Sequence, residues 1–262
     1  MKHIAKKRFG QNFLTDQGVI TSLIEAINPQ MGQTIVEIGP GLGALTKPLL
    51  AKIPHLHVVE IDRDIVAWMQ AEYAKPAYES NTVTIHNLDA LKFQFTSLGE
   101  NLRVTGNLPY NISTPILFHL LNNLSQISDM HFMLQKEVVE RMVALPSTPA
   151  YGRLSVMLQY HLAMEYLITV PPEAFEPAPK VESAFVRCVP HTTLPHIANN
   201  ETLFAKVVLA AFGQRRKTLR NTLKGLLDDA GFATLNINPQ LRAENLSVAQ
   251  FVSISNYLVW YN

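Results

Sequence analysis

The chain has 262 residues, of which 47% are hydrophobic, enough for one large core and a smaller second one. No apolar run approaches the roughly 20 residues of a membrane span, the basic start MKHIAKKRFGQNF lacks a signal peptide's apolar stretch, and the single Cys188 excludes an intrachain disulfide, so a reducing, cytoplasmic setting is expected. The net charge of +1 hides four basic and no acidic side chains in residues 1–10, a sum of −7 over residues 11–186 and +4 over residues 187–262.

Past the basic arm (Lys2, Lys6, Lys7, Arg8), TDQGVITSLIEAI has helical spacing at Val19, Ile20, Leu23, Ile24 and Ile27, with Thr15 or Asp16 as N-cap. TIVEIG then reads as a buried strand, GALTKPLLAKI as a helix, LHVVEID as a strand and DIVAWMQAEYA as a helix. NTVTIHNLDA and NLRVTGNLPY are strands, STPILFHLLNNL a helix, DMHFMLQ a strand and KEVVERMVA a helix. The alternation predicts a parallel sheet with helices on both faces. YGRLSVMLQYHL is helical, and AMEYLITV and SAFVRCV are strands joined by the proline-rich PPEAFEPAPKVE, which predicts an antiparallel pair at the sheet edge. From about residue 200 only helices and turns are predicted. The expected organisation is an α/β domain over residues 1–190 and a small all-helical domain over residues 191–262.

Three strand ends carry groups suited to a nucleoside. Gly39, Gly41 and Gly43 in EIGPGLGALT let backbone approach a ligand at a helix start. The spacing is G-x-G-x-G, so it is neither the dinucleotide nor the P-loop pattern, and a tight strand-to-helix turn is the alternative reading. Glu60 lies 21 residues after Gly39, suited to ribose hydroxyls, with Asp62 as a rival. Asp89 could accept from an adenine amino group. Together they describe an adenosine pocket at the carboxyl edge of the sheet.

A fourth strand delivers GNLPY to the same edge. An exocyclic base amine is a poor nucleophile because its lone pair is delocalised into the ring. Two acceptors, the Asn107 side-chain oxygen and the Leu108 carbonyl, would favour a pyramidal nitrogen. Pro109 fixes the backbone so that they converge, and Tyr110 offers a face for an extruded base. Holding that nitrogen in line with a methyl donor can supply up to ~7–11 kcal/mol in favourable intramolecular cases.

NLPYNIS after EIGPGLGALT resembles the ribosomal RNA adenine N6-dimethyltransferase family, most closely its bacterial small-subunit members associated with kasugamycin sensitivity. KKRFGQNFL, MLQKEVVERMVA, YGRLSVMLQY, FEPAPKVESAFVR and QRRKTLRNTL are similar to further family segments, so the resemblance runs from about residue 6 to the last helix. It implies a Rossmann-like S-adenosylmethionine-dependent methyltransferase sheet, mostly parallel with an antiparallel edge strand. It also implies methylation of two adjacent adenines in a hairpin loop near the 3′ end of small-subunit (16S) rRNA, and a late role in small-subunit biogenesis. Under it Asn12 and Leu14 close over the cofactor, Gly39 and Gly41 face its methionine part, Glu60 rather than Asp62 holds the ribose, and Asp89 binds the adenine. Asn107 touches cofactor and target, and Phe175 stacks on the target opposite Tyr110.

QRRKTLRNTLKG, read as a helix, has an apolar stripe at Leu219, Leu223, Leu226 and Leu227 and basic residues on another side. Arg215, Arg216, Lys217 and Arg220 are the expected phosphate contacts, giving affinity with little sequence information. The partner is then rRNA in an immature small subunit, with the protein a monomer. Nine scattered histidines, no H-E-x-x-H and one cysteine predict no metal centre. A nicotinamide dehydrogenase would share the glycines and the acid but not NLPY. A DNA adenine methyltransferase is a nearer alternative. A different class is an assembly factor that works mainly by binding.

Overall fold

The structure is a computed structural model describing residues 11–78 and 81–261; the basic arm lies outside them. Two compact units are present: Met1–Val139 with Glu165–Pro190, and Glu140–Met164 with His191–Asn262. The segment 140–164, predicted to belong with the sheet, thus groups with the helices after residue 190.

The first unit starts with β1 (Phe13–Leu14) and α1 (Gln17–Ile27). Asp16 caps α1 by accepting from the Val19 N–H at 2.9 Å, and α1 ends where Asn28 takes a left-handed conformation, φ 47°. Alternating elements follow: β2 (Ile35–Ile38), α2 (Thr46–Leu50), β3 (His55–Val59), α3 (Arg63–Tyr73), β4 (Thr82–His86), β5 (Leu102–Asn107), α4 (Ser113–Leu121), β6 (Ile127–Gln135) and α5 (Lys136–Val143). The last half of α5 already belongs to the second unit, whose first whole helix is α6 (Arg153–His161), after which β7 (Leu162–Val170), β8 (Phe175–Glu176) and β9 (Ser183–Pro190) return the chain to the first.

The seven-stranded sheet has the order β4-β3-β2-β5-β6-β9-β7. From β4 to β6 each neighbour runs parallel, and β9 runs antiparallel to β6. The sheet is therefore the expected, mostly parallel one, with β9 inserted beside β6 and β7 outermost. Every residue of β2 is buried, as a strand covered on both faces requires. The register pairs Ile38 with Val59 and Val59 with His86, so β2, β3 and β4 end at one edge. Gly106 of β5 lets that strand lie close to β2, because a Cβ there would collide with the Ile38 carbonyl. At the opposite edge Arg103 grips Asp129 through Nε and Nη2, both at 2.8 Å, and donates to the Ile27 carbonyl at 2.6 Å. One side chain thus ties β5, β6 and the end of α1 together.

In the second unit α6 packs against α7 (Glu201–Ala211) and α10 (Val248–Tyr261). Phe204, Val207 and Val208 of α7 and Phe251, Val252 and Ile254 of α10 are buried there. Between them lie α8 (Leu219–Thr222) and α9 (Asp229–Thr234). The predicted long helix through QRRKTLRNTLKG is corrected to four residues. Thr218 is extended at φ −73°, ψ 161°, and starts α8, while Gly225, φ 85°, closes the turn after it. Leu219, Leu223 and Leu227 are buried as the stripe predicted, but Arg215, Arg216 and Lys217 stand in turns before the helix.

Candidate active site

The order of strands reverses between β2 and β5, and a cavity of about 1030 Å³ opens at their carboxyl ends, the place where open α/β sheets bind ligands. Asn12, Leu14, Gly39, Gly41, Glu60, Asp89, Asn107, Leu108 and Tyr110 all line it.

The glycine loop follows β2. Its Gly39 N–H donates to the Val59 carbonyl at 2.9 Å. Gly39 and Gly41 have φ of 67° and 54°, and a Cβ on Gly41 would press on the Phe13 ring at 3.1 Å. The segment GQNFL is in turn laid against FE of β8, with Phe13 opposite Glu176 and Leu14 opposite Phe175.

Glu60 and Asp62 have different tasks. Asp62 caps α3 by accepting from the Asp64 N–H at 3.0 Å, and also accepts from Gln11 Nε2 at 3.1 Å. Glu60 is 7% exposed, and its Oε1 accepts from the Asp62 N–H at 2.8 Å. Burial raises its pKa, against hydrogen bonds from the Asp62, Ile61 and Gly41 backbone that lower it. Asp89 gives one carboxylate oxygen to the Leu91 N–H at 3.0 Å.

Asn107 ends β5. Its Nδ2 donates to the Asn12 carbonyl at 3.0 Å, so the GQNFL segment is held by the same side chain that faces the cavity. This orientation leaves Oδ1 as the acceptor end. The Leu108 N–H extends the ladder to the Met133 carbonyl at 3.1 Å, and among the described residues no backbone N–H donates to the Leu108 carbonyl. The Ile112 N–H closes the turn on the Pro109 carbonyl at 3.2 Å. Asn107 and Leu108, each carrying an acceptor oxygen, are thus consecutive residues of the cavity lining, followed by Pro109, which stiffens the backbone.

These observations describe a large cavity at the carboxyl ends of the strands, lined by a glycine loop, carboxyl groups and an amide. The chain matches the family described as ribosomal RNA adenine dimethylase over residues 2–259. The chain belongs to that family. It is 70% identical over 258 residues to the ribosomal RNA small subunit methyltransferase A of Methylobacillus flagellatus, covering 98% of this chain and 99% of that protein. It is 59% identical over 256 residues to the protein of the same name from Thiobacillus denitrificans, covering 98% of both. In fold it is similar to a dimethyladenosine transferase from Plasmodium falciparum, with TM-score 0.75 and 23% identity over 92% of this chain and 95% of that one. It is also similar to the 23S rRNA methyltransferase ErmE, with TM-score 0.73 and 21% identity over 95% of this chain and all of that one.

The protein is thus an rRNA adenine dimethyltransferase whose cofactor is S-adenosylmethionine. The cavity fits that cofactor: a loop with glycine at 39, 41 and 43, a buried carboxyl at the end of β3 and a further carboxylate near the end of β4.

Glu37 was missed by the motif reading. It is 2% exposed on β2, lines the cavity and accepts from Thr46 Oγ1 at 2.6 Å. Burial, opposed by that hydrogen bond and reinforced by the Glu60 charge, lifts its pKa to about 7. Its position inside an apolar strand was the available signal, since a lone acid among Ile35, Val36 and Ile38 needs a reason. Phe175 is not brought to the cavity wall. It is 4% exposed and packed in the core with Leu14 and Ile20.

In the second unit, Arg215 donates to the Pro149 carbonyl at 2.6 Å and lies 3.5 Å from Glu244, and Arg220 lies 2.9 Å from Asp229. Arg216 and Lys217 are exposed, with no ion pair among the described residues. No helix of the described residues is long and apolar enough to cross a membrane.

Proposed function

We propose that this enzyme dimethylates the N6 amines of two adjacent adenosines in a hairpin loop near the 3′ end of small-subunit rRNA. The names of the relatives at 70% and 59% identity support the small subunit as source of the RNA. The observation that supports the chemistry is that Asn107, whose nitrogen is engaged by the Asn12 carbonyl, and Leu108 are consecutive residues of the cavity lining, so that Asn107 Oδ1 and the Leu108 carbonyl are the acceptors offered there. An adenine amine has two hydrogens, and these acceptors take one each, which turns the nitrogen lone pair toward the cavity. S-adenosylmethionine supplies an electrophilic methyl group on a sulfonium when bound. Asn12 and Leu14 cover it from the GQNFL segment, Gly39 and Gly41 admit its methionine part, Glu60 accepts from its ribose and Asp89 from its adenine. Tyr110 stacks on the extruded target base. Phe175 acts by pairing with Leu14 and so holding that cover down. The methylated amine gives up its proton to water, and no strong base is needed.

Arg216 and Lys217 bind phosphate, with Arg215 and Arg220 in support of the turn that presents them. The substrate is an immature small subunit in the cytoplasm, met by a monomer, and binding contributes to late subunit assembly. The test is methyl transfer from labelled S-adenosylmethionine to small subunits lacking the modification, read by mass spectrometry of nucleosides. Dimethyladenosine formed by the parent and absent with Asn107→Ala is the expected result. Cofactor bound without any methyl transfer to the subunit would refute the substrate assignment. An Asn107→Ala protein that still binds immature subunits and supports their assembly would separate the assembly role from catalysis.

A further inference from the structure

Tyr110 is held at both ends. Its phenol oxygen lies 2.6 Å from Ser183 Oγ, and its backbone carbonyl accepts from Ser113 Oγ at 3.2 Å. Both serines are buried, Ser183 completely. Ser183 is the first residue of β9 and pairs with Gln135 of β6. Just before it, the Glu182 carbonyl accepts from the Lys136 N–H at 3.0 Å, and the Glu182 carboxylate from Lys136 Nζ at 2.7 Å. The turn that carries Tyr110 is fixed to the same strand, since the Leu108 N–H donates to the Met133 carbonyl. Two segments about 75 residues apart in sequence are thus set against one rigid strand, and the phenol–hydroxyl contact joins their side chains.

The contact answers a question of residue choice. A phenylalanine at position 110 would offer the same stacking face. What tyrosine adds is a hydroxyl, and that hydroxyl meets Ser183. Burial raises the Tyr110 pKa, with the Ser183 hydrogen bond as a smaller opposing effect, so the phenol stays neutral. Among the described residues no carboxylate or imidazole bonds to either oxygen, so the pair orients rather than transfers a proton.

The geometry points to Ser183 as a positioning residue that fixes the plane of the Tyr110 ring against which the target adenine stacks. The inference rests on the stacking role proposed above. Methyl transfer needs the acceptor nitrogen roughly 3–3.5 Å from the methyl carbon and in line with it, and a displacement of about 1 Å can cost ~10²-fold in rate. A ring free to rock about its χ angles broadens the position of the base stacked on it. The loss falls on turnover, while the cofactor's binding groups on β2, β3 and β4 are untouched.

The experiment is a double-mutant cycle on the full chain with small subunits lacking the modification. Ser183→Ala and Tyr110→Phe are each expected to lower kcat about tenfold with the cofactor Kd, measured by calorimetry, unchanged. The double variant should lose no more than either single one, because both remove the same contact. Ser183→Thr, which keeps a hydroxyl, should restore most of the turnover. Losses that multiply in the double variant, or a Ser183→Ala protein with normal kcat, would overturn the assignment. If Ser183→Ala does not fold, Tyr110→Phe and Ser183→Thr still decide it: normal turnover of the first, or failure of the second to turn over, counts against the clamp. Asn107→Ala is run beside them. An inactive Asn107→Ala with no coupling between Ser183 and Tyr110 overturns the clamp alone and leaves the methyl-transfer reading standing.

Discussion

Glu37 gives a prediction in which stability and function have opposite signs. The side chain is 2% exposed, its hydrogen bond is to Thr46, and no cation pairs with it among the described residues. Its pKa moves from the ordinary 4.5 to about 7, chiefly through burial. Below about pH 4.5 the group is protonated whether the chain is folded or not, and it costs nothing. As the pH rises to about 7 the unfolded chain ionises while the folded one resists, and stability falls. At about 1.4 kcal/mol per pH unit, the change from 4.5 to about 7 amounts to about 3 kcal/mol at pH 8. That is a large part of the ~5–15 kcal/mol of a typical domain. Glu37→Gln is neutral at every pH and can still accept from Thr46, so it removes the penalty. Urea unfolding would be followed by fluorescence of Trp68, which lies on α3 of the first unit, in a Trp260→Phe background. Parent and variant should coincide near pH 4.5 and separate by about 3 kcal/mol at pH 8, with the variant the more stable. The same variant should bind S-adenosylmethionine more weakly at pH 8, because an ionised Glu37 favours a cationic ligand. A variant no more stable than the parent at pH 8 would refute the reasoning.

Arg103→Ala should destabilise the first unit by about 3–5 kcal/mol, because Asp129, 8% exposed, loses its bidentate partner; a cost below about 1 kcal/mol in urea unfolding would count against a clamp. His131 is 1% exposed, its Nε2 has no hydrogen-bond partner among the described residues, and burial, with the Arg103 and Arg187 charges and against Asp129, holds its pKa down near 4. A depressed histidine contributes stability that is whole above about pH 6.5 and is lost as the pH falls toward 4, so His131→Phe should flatten the acid limb of the stability curve by up to about 3 kcal/mol; equal acid sensitivity in parent and variant would remove His131 as its cause. Arg216→Gln with Lys217→Gln should lower the slope of log affinity against log salt for rRNA by about 1.4, as for two lost single-strand phosphate contacts, with cofactor binding unchanged. An unchanged slope in a filter-binding titration would take the two residues out of the interface.

Much of the first unit was legible because strands and helices leave different periods in the sequence. The run TIVEIG told of a strand covered on both faces, and the strand ends could be put at one edge before any register was known. The choice between Glu60 and Asp62 was not legible from spacing, since both stand on the same side of the strand end. Structure separates them by place: Asp62 caps α3 and holds Gln11, while Glu60 lines the cavity. The basic helix failed for a reason of the same kind. A leucine every four residues repeats whether or not the backbone between them is helical, and the extended Thr218 leaves no mark in that pattern. The division at 190 was legible, but the membership of residues 140–164 in the second unit was not, because α6 finds its partners, α7 and α10, only after the strands that follow it have returned to the sheet.

Glu37, Glu60 and Asn107 share a property that explains why such residues are easily taken for structure. Each sits at or beside a strand end where neighbours leave part of its polarity unanswered. Glu37 has a hydroxyl where a buried carboxylate would favour a cation, Glu60 has backbone N–H groups of Asp62, Ile61 and Gly41 but no cation among the described residues, and Asn107 spends its nitrogen on Asn12 while its oxygen remains available. A fold selected for stability alone would complete these bonds or replace the groups with apolar side chains, since a buried polar group with an incomplete shell costs about 1–3 kcal/mol. All three line one cavity, and under the proposed function the missing partners would be supplied together, by a cation with ribose hydroxyls and by an amine with two hydrogens. The cost measured in the unliganded protein is therefore the quantity to compare with the gain on binding. If Glu37→Gln and Glu60→Gln each stabilise the empty protein and weaken the cofactor by similar amounts, the acids are placed for the ligand. If both substitutions destabilise the empty protein instead, the two carboxyls belong to the architecture, and the cavity's preference for a cation must come from other groups.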